Sequence, residues 1–151
     1  MKFMYSGEEQ MSKIIMEFDI VIDNSQVTDM MGPYGGVTFL PFTGSVESEL
    51  FTGTIVPGAA DIQVEDPAGY RNMCAKYMFK GKDASGKDCF LFVENNGWLQ
   101  EVNRQDPFIK ACPRFITDSV ELGEYLSQGR FRSEVHGNDH GVTIKIIDVL
   151  E

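Results

Sequence analysis

Along most of this chain apolar residues recur with period two, the spacing of a strand that buries one face. Met16, Phe18, Ile20 and Ile22 alternate with Glu17, Asp19 and Asp23, which predicts a first strand with one greasy side. Asn24, Ser25 and Gly32-Pro33 mark turns and loop, and Gly35-Gly36 precedes a second strand through Phe39. Strands are predicted over Glu49 to Val56 and Ala60 to Val64, divided by Pro57-Gly58, a dipeptide suited to a type II turn. Asp66-Pro67-Ala68-Gly69 closes that hairpin. Arg71 to Lys80 then places Met73, Ala75, Tyr77 and Phe79 on one face, and Asp88 to Glu94 places Phe90 and Phe92 on one face, with the glycine-bearing Gly81 to Lys87 as the loop between them. Lys110 to Thr117 is a weaker strand. Pro113 cannot donate to a ladder, so an edge or a bulge is expected there. Arg130 to His136 and Gly141 to Val149 form a terminal hairpin around Gly137-Asn138-Asp139.

One helix interrupts the strands. Asp118 or Ser119 can accept from its first free N–H groups, Val120, Leu122, Tyr125 and Leu126 follow near helical spacing, and Gly129 stops it after about two turns. Nine strands and a short helix predict an all-β fold, a closed antiparallel β-barrel, with a β-sandwich as the alternative. No repeat, linker or change of composition divides the chain. It reads as one domain over 1–151, with 1–12 as a flexible N-terminal arm.

Composition narrows the partners. The 151 residues are 42% hydrophobic and 24% charged, ordinary for a globular chain and unlike a disordered one. With 13 Lys+Arg against 23 Asp+Glu the formal net charge is −10, which repels a phosphate backbone, so nucleic acid is not an expected partner. No apolar run approaches the roughly 20 residues of a membrane helix, and the acidic N-terminus has no signal-peptide core, so no membrane association is expected. Cys74, Cys89 and Cys112 are odd in number and widely spaced, which reads as reduced thiols in a cytoplasmic chain.

Three blocks carry a family resemblance: Gly53-Thr54-Ile55-Val56-Pro57-Gly58-Ala59-Ala60-Asp61; Ala75-Lys76-Tyr77 with Phe92-Val93-Glu94-Asn95-Asn96-Gly97; and Pro113-Arg114-Phe115, then Gly129-Arg130-Phe131 and the closing Val142 to Val149 strand. Taken in order, they resemble an uncharacterised family of single-domain bacterial and fungal β-barrel proteins, known only as a domain of unknown function. The resemblance implies a lipocalin-like barrel and self-association into a homo-oligomer, and no assigned activity. The chain departs from the family pattern at Lys110, where Arg is usual, at Ile116, where an acid is usual, and at Tyr125-Leu126-Ser127, which stands for Trp-Leu-Asn. An ion pair through positions 110 and 116 is therefore not carried over.

Candidate chemistry centres on Asp61. It shares a strand face with Gln63, opposite Ile62 and Val64, and if those two are covered from outside, Asp61 points into the barrel. A desolvated carboxylate there has a raised pKa and suits acid or base work, with Tyr77 or His136 as its partner. The other reading makes Asp61 a brace for the Pro57-Gly58 corner. His136 and His140 have a metal-like spacing, but on a hairpin turn, where that geometry does not converge; no metal site and no organic cofactor is expected. Arg130, Arg132, Glu134 and His136 alternate on one face. They form either a solvent face or, if turned inward together with Arg114, a grip for a carboxylate. Phe90, Phe92 and Trp98, the last at a rim after an Asn95-Asn96-Gly97 turn, complete the candidate ligand contacts. Binding of a small hydrophobic or carboxylated molecule leads. A cofactor-independent isomerase, cyclase or lyase and a filled oligomeric scaffold are the alternatives.

Overall fold

The computed structural model describes residues 12–98 and 109–149. The strands are β1 Ser12–Val21, β2 Thr28–Gly32, β3 Gly35–Pro41, β4 Thr43–Glu47, β5 Phe51–Ile55, β6 Ala60–Glu65, β7 Arg71–Asp83, β8 Asp88–Trp98, β9 Ile109–Thr117, β10 Phe131–Gly137 and β11 Gly141–Val149, with one helix, α1 Val120–Leu126. Eight of them close a ring in the order β7-β5-β4-β1-β11-β10-β9-β8, sealed by the β7–β8 ladder, and all pairings are antiparallel. That closure excludes the sandwich. The expected N-terminal arm lies outside the described residues up to position 11, and Ser12 already belongs to β1.

The remaining strands, β6, β3 and β2, branch from the long strand β7. Its Phe79–Asp83 half pairs with β5, while Arg71–Lys76 pairs with β6 on the same edge. β3 and β4 are one run bent at Phe42, whose N–H donates to Ala59 O at 3.2 Å, and β5 and β6 are one run bent at the Pro57-Gly58 corner. Gly58 there has φ +109°, open to glycine and costly for other residues. The branch therefore prolongs the barrel wall at one end. Where β5 meets β7, Gly53 lies opposite Gly81, and a Cβ on Gly81 would stand 1.9 Å from Thr52 O; no side chain fits between these strands.

The opposite end is filled. Met16, Phe18, Phe51, Phe79, Leu91 and Ile146 are almost wholly buried, and Phe18, Phe51, Tyr77 and Phe79 meet in tilted and edge-to-face contacts. Helix α1 buries Leu122 and Leu126 against this core. Its N-cap is Ser119, whose Oγ accepts from Leu122 N and donates to Asp83 Oδ2 at 2.7 Å. Asp118 takes another task, its Oδ1 accepting from Phe90 N.

Several expectations need correction. Thr28–Gly32 is a strand, because it finds β3 as its partner, and Thr43–Glu47 is one although only Val46 of it is buried. β8 runs through Asn95, Asn96 and Gly97 to Trp98 with β7 alongside, so those residues form no turn. Phe90 and Phe92 are not on the inner face of β8. Cys89, Leu91, Val93 and Asn95 are, since Tyr77 lies opposite Val93 and Phe79 opposite Leu91. Five consecutive apolar residues, Cys89 to Val93, leave the face undecided until the register is known. β9 has β10 as a neighbour only from Ile109 to Ala111; Pro113 lies beyond that ladder, where β8 alone pairs with the strand, so it sits at a locally open edge and the donor it lacks costs the β10 ladder nothing.

Candidate functional site

At the end away from α1 the barrel is hollow. A cavity of about 160 Å³ lies between β1, β3, β6, β7, β8, β9, β10 and β11, walled by Ile20, Leu40, Phe42, Met73, Val135 and Ile144 among others, with Asp61, Gln63 and Asn95 as the polar side chains of its inner face. Alternation on β6 turns Asp61 and Gln63 inward and leaves Val64 outside, 47% exposed.

A chain of hydrogen bonds leads to Asp61 from the mouth of the branch. Arg71 opens β7 on the same face as Met73. Its guanidinium donates to Glu65 Oε1 (3.0 Å), Thr38 Oγ1 (3.1 Å) and Gln63 Oε1 (2.9 Å). Thr38 in turn donates to Asp29 Oδ1 at 2.6 Å. Because arginine can only donate, Gln63 must present its oxygen to Arg71 and its amide N–H to Asp61, which it does at 2.8 Å to Oδ2.

The other carboxylate oxygen, Asp61 Oδ1, is buried and has no hydrogen-bond partner, and the same holds for the Tyr77 hydroxyl. Asp61 lies opposite Ala75 on β7, so Tyr77, two residues on, is its diagonal neighbour on the inner face. Burial pushes the Asp61 carboxyl up from its ordinary range, against the bonds from Gln63 and the Cys74 backbone and the charge of Arg71, which pull it down. Burial, helped by the charge of Asp61, also pushes the Tyr77 phenol up. Tyr77 is not part of the cavity wall. It packs beneath Phe42, which is (ring centroids 5.2 Å).

The other expected contacts fall elsewhere. His136 alternates with the cavity-lining Val135 and so stands on the far side of β10, its Nε2 3.0 Å from Glu134 Oε1. Arg132 is exposed on that outer face. Arg114 pairs outside with Glu94 at 2.8 Å and holds that carboxyl below its usual range. Phe90 and Trp98 are exposed, and Phe92 is half-buried on the outer side of β8. Arg130 does make the two-pronged grip its chemistry suggests, but on the protein's own Asp148 at the α1 end, at 2.7 and 3.1 Å, and the hydroxyl of Tyr125 donates to the same carboxylate. His140 bonds Asp19 at 2.6 Å, and no cluster of metal-ligating side chains is found among the described residues. Asn95 and Arg71 are the site residues that sequence reasoning missed. Both share parity with inward neighbours, Val93 and Met73, and that parity is the signal that finds them.

A family model described as "Protein of unknown function (DUF3237)" matches residues 12–107. A UPF0311 protein of Clostridium acetobutylicum is 25% identical over 89 residues, 59% of this chain and 47% of that protein; the chain spans about half the length of this curated relative. Among solved structures, a protein of unknown function from Clostridium acetobutylicum superposes with a TM-score of 0.72 at 20% identity, over 91% of this chain and 95% of the other. A conserved protein of unknown function from Rhodopseudomonas palustris gives 0.71 at 23%, over 92% and 97%. A β-barrel-like protein from Acinetobacter baumannii gives 0.59 at 18%, over 90% and 93%. At such identities the likeness concerns the fold.

Proposed function

We propose that this chain, which belongs to the DUF3237 family of proteins of unknown function, binds a small and largely apolar molecule in the cavity of its barrel. One observation carries the reading: a cavity of about 160 Å³ with apolar walls holds a carboxylate that the protein itself satisfies on one oxygen only. Apolar pockets with a few convergent polar groups are where small ligands bind, and an interior carboxylate with a perturbed pKa adds to that expectation. A filled scaffold has less support, because the cavity end lacks the packing of the α1 end. A carboxylated ligand also has less support, since none of the Arg side chains named above lines the cavity.

The Asp61–Tyr77 pair favours a second reading. Proton transfer to or from the bound molecule, in an isomerisation, cyclisation or elimination that needs no cofactor, would use Asp61 as acid or base with Tyr77 as its donor. Self-association belongs to the proposal too, supported by exposed Met30, Phe39 and Val64 on the outer face of the branch. So does a reducing, cytoplasmic setting, supported by three free thiols.

The test is a thermal-shift screen of small apolar compounds, with hits mapped by amide chemical-shift changes. Binding is expected to move the resonances of Asp61, Gln63, Asn95 and Ile144 and to spare those around Leu122. Hits that map only to the outer face, or none at all, would sink the reading.

A further inference from the structure

The polar inventory of the cavity specifies its occupant more narrowly than "small and apolar", and the following rests on the binding reading above. Its size comes first. A cavity of about 150 Å³ lined by Leu, Ile and Phe holds one benzene, and this one is about 160 Å³ with a similar lining. One ring is therefore the expected body.

Acceptors come next. Gln63 Oε1 accepts from Arg71 and Asp61 Oδ2 accepts from Gln63. Asn95 Oδ1 accepts from Ser133 Oγ at 3.0 Å. Asn96 also borders the cavity, yet its side chain bonds Glu94 on the outer face. Of these side-chain oxygens, Asp61 Oδ1 is the one with no bond at all. The donor is Asn95, whose oxygen takes the bond from Ser133 and whose amide N–H groups stay available to the cavity. The described wall thus has one carboxylate oxygen that calls for a donor and one side-chain amide, that of Asn95, that calls for an acceptor. A hydroxyl group, with one O–H and an oxygen that accepts, matches that count. An ammonium group brings three donors to one oxygen and leaves two unpaired, while a carboxylate brings no donor and a like charge beside Asp61.

We propose that the cavity takes a neutral, single-ring compound bearing a hydroxyl, whose O–H donates to Asp61 Oδ1, and that Arg71 is the positioning residue that sets this preference by occupying the Gln63 oxygen. Arg71 does not touch the ligand. It acts through Gln63, whose amide it prevents from turning its acceptor toward the cavity.

The experiment measures binding of phenol, toluene, benzylammonium and benzoate to the full chain at pH 7, by titration and by the cavity amide shifts. Phenol is expected to bind about tenfold tighter than toluene, the worth of one hydrogen bond to a charged group, and the two ions are expected to bind more weakly than toluene. The double variant Arg71→Met with Glu65→Gln removes one charge of each sign and frees Gln63 Oε1; it should narrow the gap between phenol and benzylammonium at least threefold. Equal affinity for phenol and toluene would overturn the hydroxyl assignment while leaving the cavity reading intact. Benzylammonium binding tighter than phenol to the unaltered chain would do the same. If none of the four binds while larger compounds map to the cavity, the single-ring assignment falls alone. If nothing maps to the cavity, the binding reading falls with it.

Discussion

Two aspartates stand at opposite ends of one barrel, each with a tyrosine close by, and their surroundings push them in opposite directions. Asp148 is 2% exposed and fully satisfied. Arg130 grips both of its oxygens, Tyr125 donates to it, and these bonds hold its carboxyl below the ordinary value. Tyr125 is correspondingly pushed up to about 12, by burial first and then by its bond to Asp148. Asp61 has Gln63 as its side-chain donor, with the Cys74 backbone beside it, no cation in contact and an Oδ1 without a hydrogen-bond partner, and burial drives its carboxyl upward. The difference separates a satisfied carboxylate from an unsatisfied one. A carboxylate paired with a cation and a phenol fastens β11 to α1, whereas one left half-satisfied beside a cavity is what the proposed binding of an outside partner builds on.

The largest test of this contrast is in the packing. Phe79→Ala at the filled end should destabilise the fold by about 3–5 kcal/mol, while Met73→Ala, which only enlarges a space already present, should cost about 1 kcal/mol or less. Denaturant unfolding at pH 7 reads both, and equal losses would mean the two ends are packed alike. Next in size is Asp148→Ala, expected to lower the unfolding midpoint by roughly 5–10 °C at pH 7. Because the folded state lowers this carboxyl, its contribution is present above the ordinary carboxylate value and is lost as pH falls through the lowered one. The gap between Asp148→Ala and the unaltered protein should therefore close on acidification below about pH 4. A gap that does not change with pH would make Asp148 a packing residue.

The tyrosines sharpen the same comparison. Tyr125→Phe removes a bond to a charged group and should cost about 1–2 kcal/mol, whereas Tyr77→Phe removes an unpaired hydroxyl and should fall within about 0.5 kcal/mol of the unaltered protein or stabilise it. A large loss at Tyr77 would show that it bonds Asp61 directly in solution. Smallest is Asp61→Asn. Its folded-state pKa is raised, so its favourable contribution is complete below the ordinary carboxylate value and is lost as pH rises through the raised one. Asp61→Asn should thus raise the midpoint by ~2 °C at pH 7 and make no difference near pH 4; unfolding at pH 7 instead would restore Asp61 as a brace for the Pro57-Gly58 corner.

What the sequence determined by itself is the alternation and the corners. Within each strand, period two groups Met16 with Phe18 on β1, Asp61 with Gln63 on β6 and Tyr77 with Phe79 on β7, and Pro57-Gly58 and Asp66 to Gly69 place the turns, because side-chain direction and turn conformation are local properties of a few neighbouring residues. The rest was decided by which strand lies beside which. Thr28–Gly32 is a strand only because β3 is there to pair with it, and the face of β8 is settled only by Tyr77 opposite Val93. The fates of the two aspartates are of the same kind. Arg130 reaches Asp148 across eighteen residues, Arg71 reaches Asp61 only through Gln63, and among the described residues no second side-chain donor arrives at Asp61. Hydrogen bonding and desolvation depend on which groups meet in space, and register and closure, not alternation, bring them together.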